Sequence, residues 1–166
     1  MTPQAHDHPA EVGAEPRRPL VPMLGEIKVL AIQELHARMR ERGHPEIRAG
    51  HGCVFGFIDE RGSRLTELAE RSQTSKQAVW EAVADLEQLG YVERAPDPLD
   101  GRAKIIRLTR SGDEAREIAR GIFGEIEQRW IERYGAERIA ALRELVEEMV
   151  ADQRSGDPLP AVLAGA

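Results

Sequence analysis

The sequence predicts a mainly α-helical chain carrying one small β-hairpin, and three observations lead to that expectation. Between about residues 25 and 153, apolar side chains recur at three- and four-residue spacing, the period of an amphipathic helix. Two of the helical patterns, 65–71 and one running to about residue 89, are separated only by Ser72, Gln73 and Thr74. The pattern then changes: Tyr91 and Val92, and later Ile105 through Thr109, read as short strands flanking a stretch rich in Pro, Asp and Gly.

The elements follow in order. Ile27, Leu30, Ala31, Leu35 and Met39 form the stripe of a first helix, ended by Gly43 to Pro45. Val54, Phe55 and Ile58 predict a second helix over 51–60, stopped near Gly62. Leu65, Leu68 and Ala69 give the third. Thr74 with Gln77 three residues later reads as a capping box opening the fourth, and Gly90 as its stop. Residues 95–101 then predict a hairpin with a long tip. Ser111 with Glu114 forms a second apparent capping box, opening a helix whose stripe runs from Ala115 through Ile122, Ile126 and Trp130 to about Tyr134. After Gly135, Ile139, Leu142, Leu145, Val146, Met149 and Val150 predict a last helix over 136–153.

The ends differ from this middle. Residues 1–22 hold five of the ten prolines and no periodic apolar pattern, so they read as a flexible arm; 155–166 reads as a flexible tail. The expected organisation is a winged domain over 23–154, with a helix-turn-helix at 65–90, a wing at 91–109, and dimerisation helices at 25–42 and 111–153. The longest uncharged stretch is ten residues, 49–58. A membrane span needs roughly 20 apolar residues, so a membrane-free, cytoplasmic protein is expected. The first residues lack a basic start followed by an apolar run.

The formal net charge is −6, which by itself disfavours nucleic acid as a partner. Its distribution matters more. Residues 1–60 carry −2 and 111–166 carry −5, whereas 61–110, with nine basic and eight acidic groups, carry +1. The one segment that is not acidic is the helix pair and hairpin.

Helix, tight turn, helix and two-stranded ribbon is the order of a winged helix-turn-helix, whose second helix enters the major groove of DNA near its N-terminus. The first turn of that helix offers unpaired N–H groups and a positive dipole end. Thr74, Ser75, Lys76 and Gln77 sit there. With Val79, Ala82, Val83, Leu86 and Leu89 as the buried stripe, Gln77, Glu81, Ala84 and Gln88 face outward. Gln77 suits an adenine edge and Glu81 a cytosine amino group. Lys76 and Trp80 lie at the flank; Trp80 suits either DNA or the side of the helix-turn-helix core. Arg102, followed by Lys104, can reach into a narrow minor groove from the ribbon. Asp100 is expected to pair with an arginine and hold the wing's shape. Because the helix carries Glu81, Asp85 and Glu87, Arg64 and Arg71 are expected to share the phosphate load with the wing.

Leu65-Thr-Glu-Leu-Ala69, Ser75-Lys-Gln-Ala-Val79, Leu86-Glu-Gln-Leu-Gly-Tyr-Val-Glu-Arg94 and Asp97-Pro-Leu-Asp-Gly-Arg-Ala-Lys104 followed by Leu108-Thr109 closely resemble the MarR family of bacterial transcription regulators. Asp100-Gly101-Arg102 with Leu108-Thr109 matches that family's wing signature. The likeness spans about residues 25–152. It implies a two-fold dimer closed by the first and last helices on a roughly palindromic double-stranded operator. It also implies a small aromatic or lipophilic ligand, held between the dimerisation helices and the DNA-binding lobe, that releases DNA. The apolar stripes near both chain ends call independently for a symmetry mate.

The expected activity is therefore that of a homodimeric, sequence-specific regulator, a repressor modulated by a small ligand. The alternative is a dimeric ligand-sensing or protein-interaction module that has lost DNA affinity. Phe55, Phe57, Trp130 and Tyr134 are candidates for lining the ligand pocket, with core packing the competing role. Cys53 has no cationic neighbour except His51, so an inert thiol is expected rather than a peroxide sensor. His36, His44 and His51 do not share a helix face, and neither a metal site nor a cofactor is expected. No nucleophile motif, phosphate-binding glycine loop or paired-carboxylate context points to an enzyme.

Overall fold

A computed structural model describes residues 17–155 of the 166. It contains α1 (Leu20–Glu41), a 3-10 turn (Ala49–His51), α2 (Gly52–Phe55), α3 (Leu65–Ser72), α4 (Lys76–Gln88), β1 (Val92–Asp97), β2 (Asp100–Leu108), α5 (Arg110–Tyr134) and α6 (Ala136–Ser155). This is a mainly helical chain with a two-stranded antiparallel hairpin. No helix among the described residues is long and apolar enough to cross a membrane.

The first helix starts at Leu20, inside the segment expected to be an arm. Pro19 precedes it and Pro22 falls in its first turn, where a missing N–H costs nothing because that donor has no partner within the helix. The rest of the expected arm and most of the expected tail lie outside the described residues. The second helix is shorter than its apolar residues predict. Gly52 and Gly56 bracket a single turn of α2, and the chain then turns at Asp59, whose carbonyl accepts from the Gly62 N–H at 2.9 Å. From there Ser63 runs antiparallel to Ile106, exchanging two backbone bonds at 2.9 and 2.8 Å. That bridge fastens the entry to α3 to the middle of β2.

Both expected capping boxes are displaced. Ser75, not Thr74, caps α4, its Oγ accepting from the Ala78 N–H at 3.2 Å, while the Thr74 hydroxyl donates to the Ser72 carbonyl at 3.1 Å. Thr109, not Ser111, caps α5: Oγ1 accepts from the Gly112 N–H at 3.1 Å and donates to the Gly90 carbonyl at 2.7 Å. The same hydroxyl thus ties the end of α4 to the start of α5. Gly112 is buried against Tyr91 so closely that a Cβ there would stand 2.0 Å from the Tyr91 carbonyl oxygen.

The strands are longer and the tip shorter than expected. Strand pairing continues through Pro96, opposite Lys104, to Asp97, opposite Asp100, leaving Pro98 and Leu99 as the tip. That register leaves Gly101, Arg102 and Ala103 opposite nothing on β1. Pro96 has no N–H to extend the ladder, and a bulge of this kind re-aims the side chains it carries.

One core joins the helices to the hairpin. Met39, Val54, Leu68, Val79, Val83, Leu86, Ile106 and Ile122 are each at most 1% exposed. Burying each large apolar side chain contributes about 1.5–3 kcal/mol before entropy is counted. Val79, Ala82, Val83 and Leu86 form the buried stripe of α4 as the spacing predicts, with Leu89 half-buried at its end. By contrast, no described residue of α6 is buried.

Candidate functional site

The outward start of α4 and the wing each present unpaired positive charge. Lys76, Arg102 and Lys104 are exposed, and their side chains make no ion pair among the described residues. Lys76 stands in the first turn of α4, immediately after the Ser75 cap. Gln77 is exposed one residue on, its Nε2 donating to Glu81 Oε1 at 2.7 Å, so the two expected base-reading groups hold each other in the free chain. Trp80 is 50% exposed and is not part of the buried core. Thr74 is half-buried, with its hydroxyl engaged in the turn.

Arg102 lies in the bulged stretch of β2. Its backbone N–H donates to Asp100 Oδ1 at 3.1 Å, which leaves the guanidinium free. Asp100 also lies 3.7 Å from Arg64 Nη2. The stronger brace is one that the sequence reading missed. Asp97 is 6% exposed; its Oδ2 accepts from Arg64 Nε at 2.7 Å and its Oδ1 from the Leu99 N–H at 2.8 Å. The Leu99 N–H and then the Arg64 guanidinium hold its carboxyl below the ordinary aspartate range. The Asp-Pro-Leu order was the available signal, because Asp readily accepts from the backbone two residues on.

Two arginines expected to share the phosphate load are paired within the free chain. Arg64 is committed to Asp97, while Arg71 donates to Asp59 Oδ2 at 2.7 Å and to the Phe57 carbonyl at 3.3 Å. Neither is a free cation. The acidic residues of α4 are similarly engaged: Glu87 accepts from Arg94 at 3.0 Å, and Asp85 turns inward to His51.

Behind α4 lies a cavity of about 1090 Å³. Its α4 wall is Ala78, Glu81, Ala82 and Asp85, one helical face flanking the buried stripe. Across from it stand α1, through Ile32, Leu35 and His36, and α5, through Arg116, Ala119 and Phe123. Phe55 and Phe57 are among its lining residues. Trp130 is not: it is half-buried against the core two turns beyond Phe123, and Phe123 takes that place. Tyr134, further along, is 50% exposed with Arg133 over its ring.

Cys53 borders the cavity, donates to the Gly50 carbonyl at 3.0 Å, and has a thiol pKa pushed up by burial, the reverse of what a reactive cysteine requires. His44 is bonded to the Tyr91 hydroxyl at 2.9 Å and His51 to Asp85 at 2.8 Å. Among the described residues, no three metal-binding side chains converge.

The MarR family model matches residues 48–103, which take in α2, both helices of the helix-turn-helix and the wing through Ala103. An uncharacterized HTH-type transcriptional regulator of Mycobacterium bovis, Mb0904, is 35% identical over 115 residues, covering 68% of this chain and 75% of the relative. The S. aureus MepR–DNA complex shares the fold with a TM-score of 0.67 at 21% identity, over 82% of this chain and 99% of MepR. CouR from Rhodococcus jostii RHA1, bound to p-coumaroyl-CoA, aligns with a TM-score of 0.63 at 19% identity, over 76% of this chain and 88% of CouR. With a relative of that identity matched over three quarters of its length and the family model falling on the helix-turn-helix and wing, the chain belongs to the MarR family of transcriptional regulators.

Proposed function

We propose that this regulator is a homodimeric, sequence-specific repressor that lays the start of α4 in a major groove and the Arg102 wing in the adjoining minor groove. The observation that carries the reading is the contrast in pairing. Arg64, Arg71, Arg94 and Arg107 are held by carboxylates, whereas Lys76, Arg102 and Lys104, like Arg61 and Arg110, make no ion pair among the described residues and are left for an outside anion. Unpaired cations at a helix start and on a ribbon match the chemistry of a phosphate backbone and a narrow groove. The DNA seen with MepR is consistent with this use of the fold.

The dimer rests on two exposed stripes. Met23, Leu24 and Ile27 on α1, and Leu142, Leu145, Val146, Met149 and Val150 on α6, are large apolar side chains at helical spacing left 36–53% exposed in one chain. A two-fold mate covers both copies with the same contacts. The cavity beside α4 supports release by a small ligand, and the coumaroyl-CoA bound to CouR shows a relative of this fold with a small molecule.

Selection of bound sites from random duplex DNA, followed by affinity measurements across salt concentrations, tests the proposal. The expected site is roughly palindromic. Lys76→Ala should weaken all sequences alike and reduce the salt slope by about 1, whereas Arg102→Ala should cost about tenfold on the selected site. The absence of salt-sensitive DNA binding at low ionic strength would favour the module without DNA affinity.

A further inference from the structure

Among the described residues, the large apolar side chains left exposed belong to α1, α5 and α6, with two exceptions. Trp80 is on α4, four residues after Lys76, and Leu99 is at the tip of the wing, three residues before Arg102. At 94%, Leu99 is the most exposed of them all. Its backbone, by contrast, is held. Pro98 fixes φ just before it, and the Leu99 N–H donates to Asp97 Oδ1 at 2.8 Å, while Arg64 grips Asp97 at 2.7 Å. The acids beside the tip are engaged within it. Asp97 is 6% exposed, and Asp100 accepts from the Arg102 N–H at 3.1 Å and lies 3.7 Å from Arg64. What the tip offers outward is an isobutyl group on a braced turn, followed along β2 by the exposed cations Arg102 and Lys104. Such turns favour Gly, Pro, Asn, Asp and Ser, so a leucine there gains nothing from the fold itself.

We infer that Leu99 is an apolar wedge: it enters the minor groove beside Arg102 and partly unstacks one base step in each half-site, so that the site is chosen by its deformability as well as by its base edges. This rests on the reading of the wing as a minor-groove element and adds to it a residue and a mode of selection. Leucine is one of the side chains able to pry base steps apart from the minor groove. Opening a step costs least where stacking is weakest, at TA and CA/TG. Three residues of chain extend at most about 10 Å, or about three base steps, so the wedge and the Arg102 contact fall in one short stretch of groove. A tip already braced through Asp97 loses little freedom on insertion. The two side chains divide the work: the guanidinium supplies attraction to the phosphates, and the leucine, having no charge, supplies only the deformation.

The adenine analogue 2-aminopurine, whose fluorescence rises when it is unstacked, tests the wedge directly. It is placed in turn at each adenine of the site selected from random duplex DNA, and the full chain is added. Fluorescence should rise severalfold at one two-fold-related pair of steps, and changing that step from TA to AA should weaken binding about tenfold. Leu99→Ser should abolish the rise and cut the step preference to about twofold or less. Its Tm and salt slope should match the wild type, because the side chain is exposed in the free chain and carries no charge. Leu99→Met should keep both the rise and the preference. No rise at any step, an equal rise with Leu99→Ser, or equal binding of the TA and AA sites by the wild type would overturn the wedge. Arg102→Ala keeps this test apart from the proposed function. If Arg102→Ala loses affinity while Leu99→Ser matches the wild type in every readout, the repressor stands and the wedge falls; if no duplex is bound in a salt-sensitive way, both fall.

Discussion

Arg64 and Asp97 bind each other across 33 positions of sequence, joining the residue before α3 to the last residue of β1 at an Nε–Oδ2 distance of 2.7 Å. The pair fixes the wing's tip relative to the helix-turn-helix. Asp97 also accepts the Leu99 N–H, and Asp100, opposite Asp97 in the ladder, accepts the Arg102 N–H. The direction in which Arg102 leaves the ribbon therefore depends on a carboxylate that never touches it.

That dependence has a pH signature. The Leu99 N–H and Arg64 hold the Asp97 carboxyl below the 3.8 of a free aspartate. A group depressed on folding adds stability above its unfolded value, and that stability drains away as pH falls through the lower native value. Asp97→Asn should therefore melt below the wild type at about pH 7, with the gap in Tm narrowing as pH falls below the 3.8 of a free aspartate. An unchanged gap across that range would show that the charge contributes nothing.

Cys53 gives a second expectation with the opposite sign. Burial raises its thiol above the ordinary range, so its thiolate fraction at neutral pH is below that of free cysteine. Alkylation by iodoacetamide at about pH 7 should be slower than for a model peptide thiol of pKa about 8.5, and peroxide treatment should leave DNA affinity unchanged. Rapid, stoichiometric loss of the thiol with loss of DNA binding would contradict the geometry.

Much of the fold was legible because its helices follow periodicity. The stripe of Val79, Ala82, Val83 and Leu86 is both a sequence pattern and a buried face. The boundaries were less legible, because Ser, Thr and Asn/Asp compete for the same caps. Thr74 and Ser75 are adjacent, and the tertiary turn, with Gln73 left-handed at φ 51°, decides which one caps. The hairpin was underestimated because Pro96 and Pro98 look like turn residues, while the strand pairing tolerates Pro96 on an edge. Of the proposed site, the exposure of Lys76, Gln77 and Arg102 follows from their places at a helix start and near the hairpin tip. The Arg64–Asp97 brace, the Asp85–His51 contact and the place of Phe123 in the cavity wall depend on long-range packing that no local pattern reports.

At Gly112 the start of α5 packs directly against the backbone of Tyr91. The glycine sits in the first turn of α5, its N–H held by Thr109, with the Tyr91 carbonyl oxygen where a Cβ would go. Backbone cannot swing away as a flexible side chain can. Gly112→Ala should therefore lower stability by about 1–3 kcal/mol or more, as overpacking does in a filled core, measured by urea unfolding. Gly121→Ala, on an open face of the same helix, serves as the control and should be neutral or slightly stabilising. Equal effects at the two sites would mean that the contact with Tyr91 relaxes freely.

The apolar face of α6 gives the last test, and it bears on the assembly. Leu142, Leu145, Val146, Met149 and Val150 lie at steps of three and one along the helix, which places them on one side, each between 38% and 53% exposed. A stripe of that length left open to water would favour indiscriminate association, whereas a two-fold mate closes it once. Leu145→Glu puts one charge into each copy of such an interface, and the two-fold places the pair in a common apolar seam. Burying an unpaired charge costs several kcal/mol, so the dimer dissociation constant should rise by about a hundredfold or more. Sedimentation should then show a monomer with helix content preserved, since the position is exposed in the single chain. Affinity for a palindromic duplex should fall while affinity for a half-site persists, because each α4 and wing remains intact and only the simultaneous engagement of two half-sites is lost. If Leu145→Glu stays dimeric, the seam lies elsewhere and the stripe on α6 needs another cover.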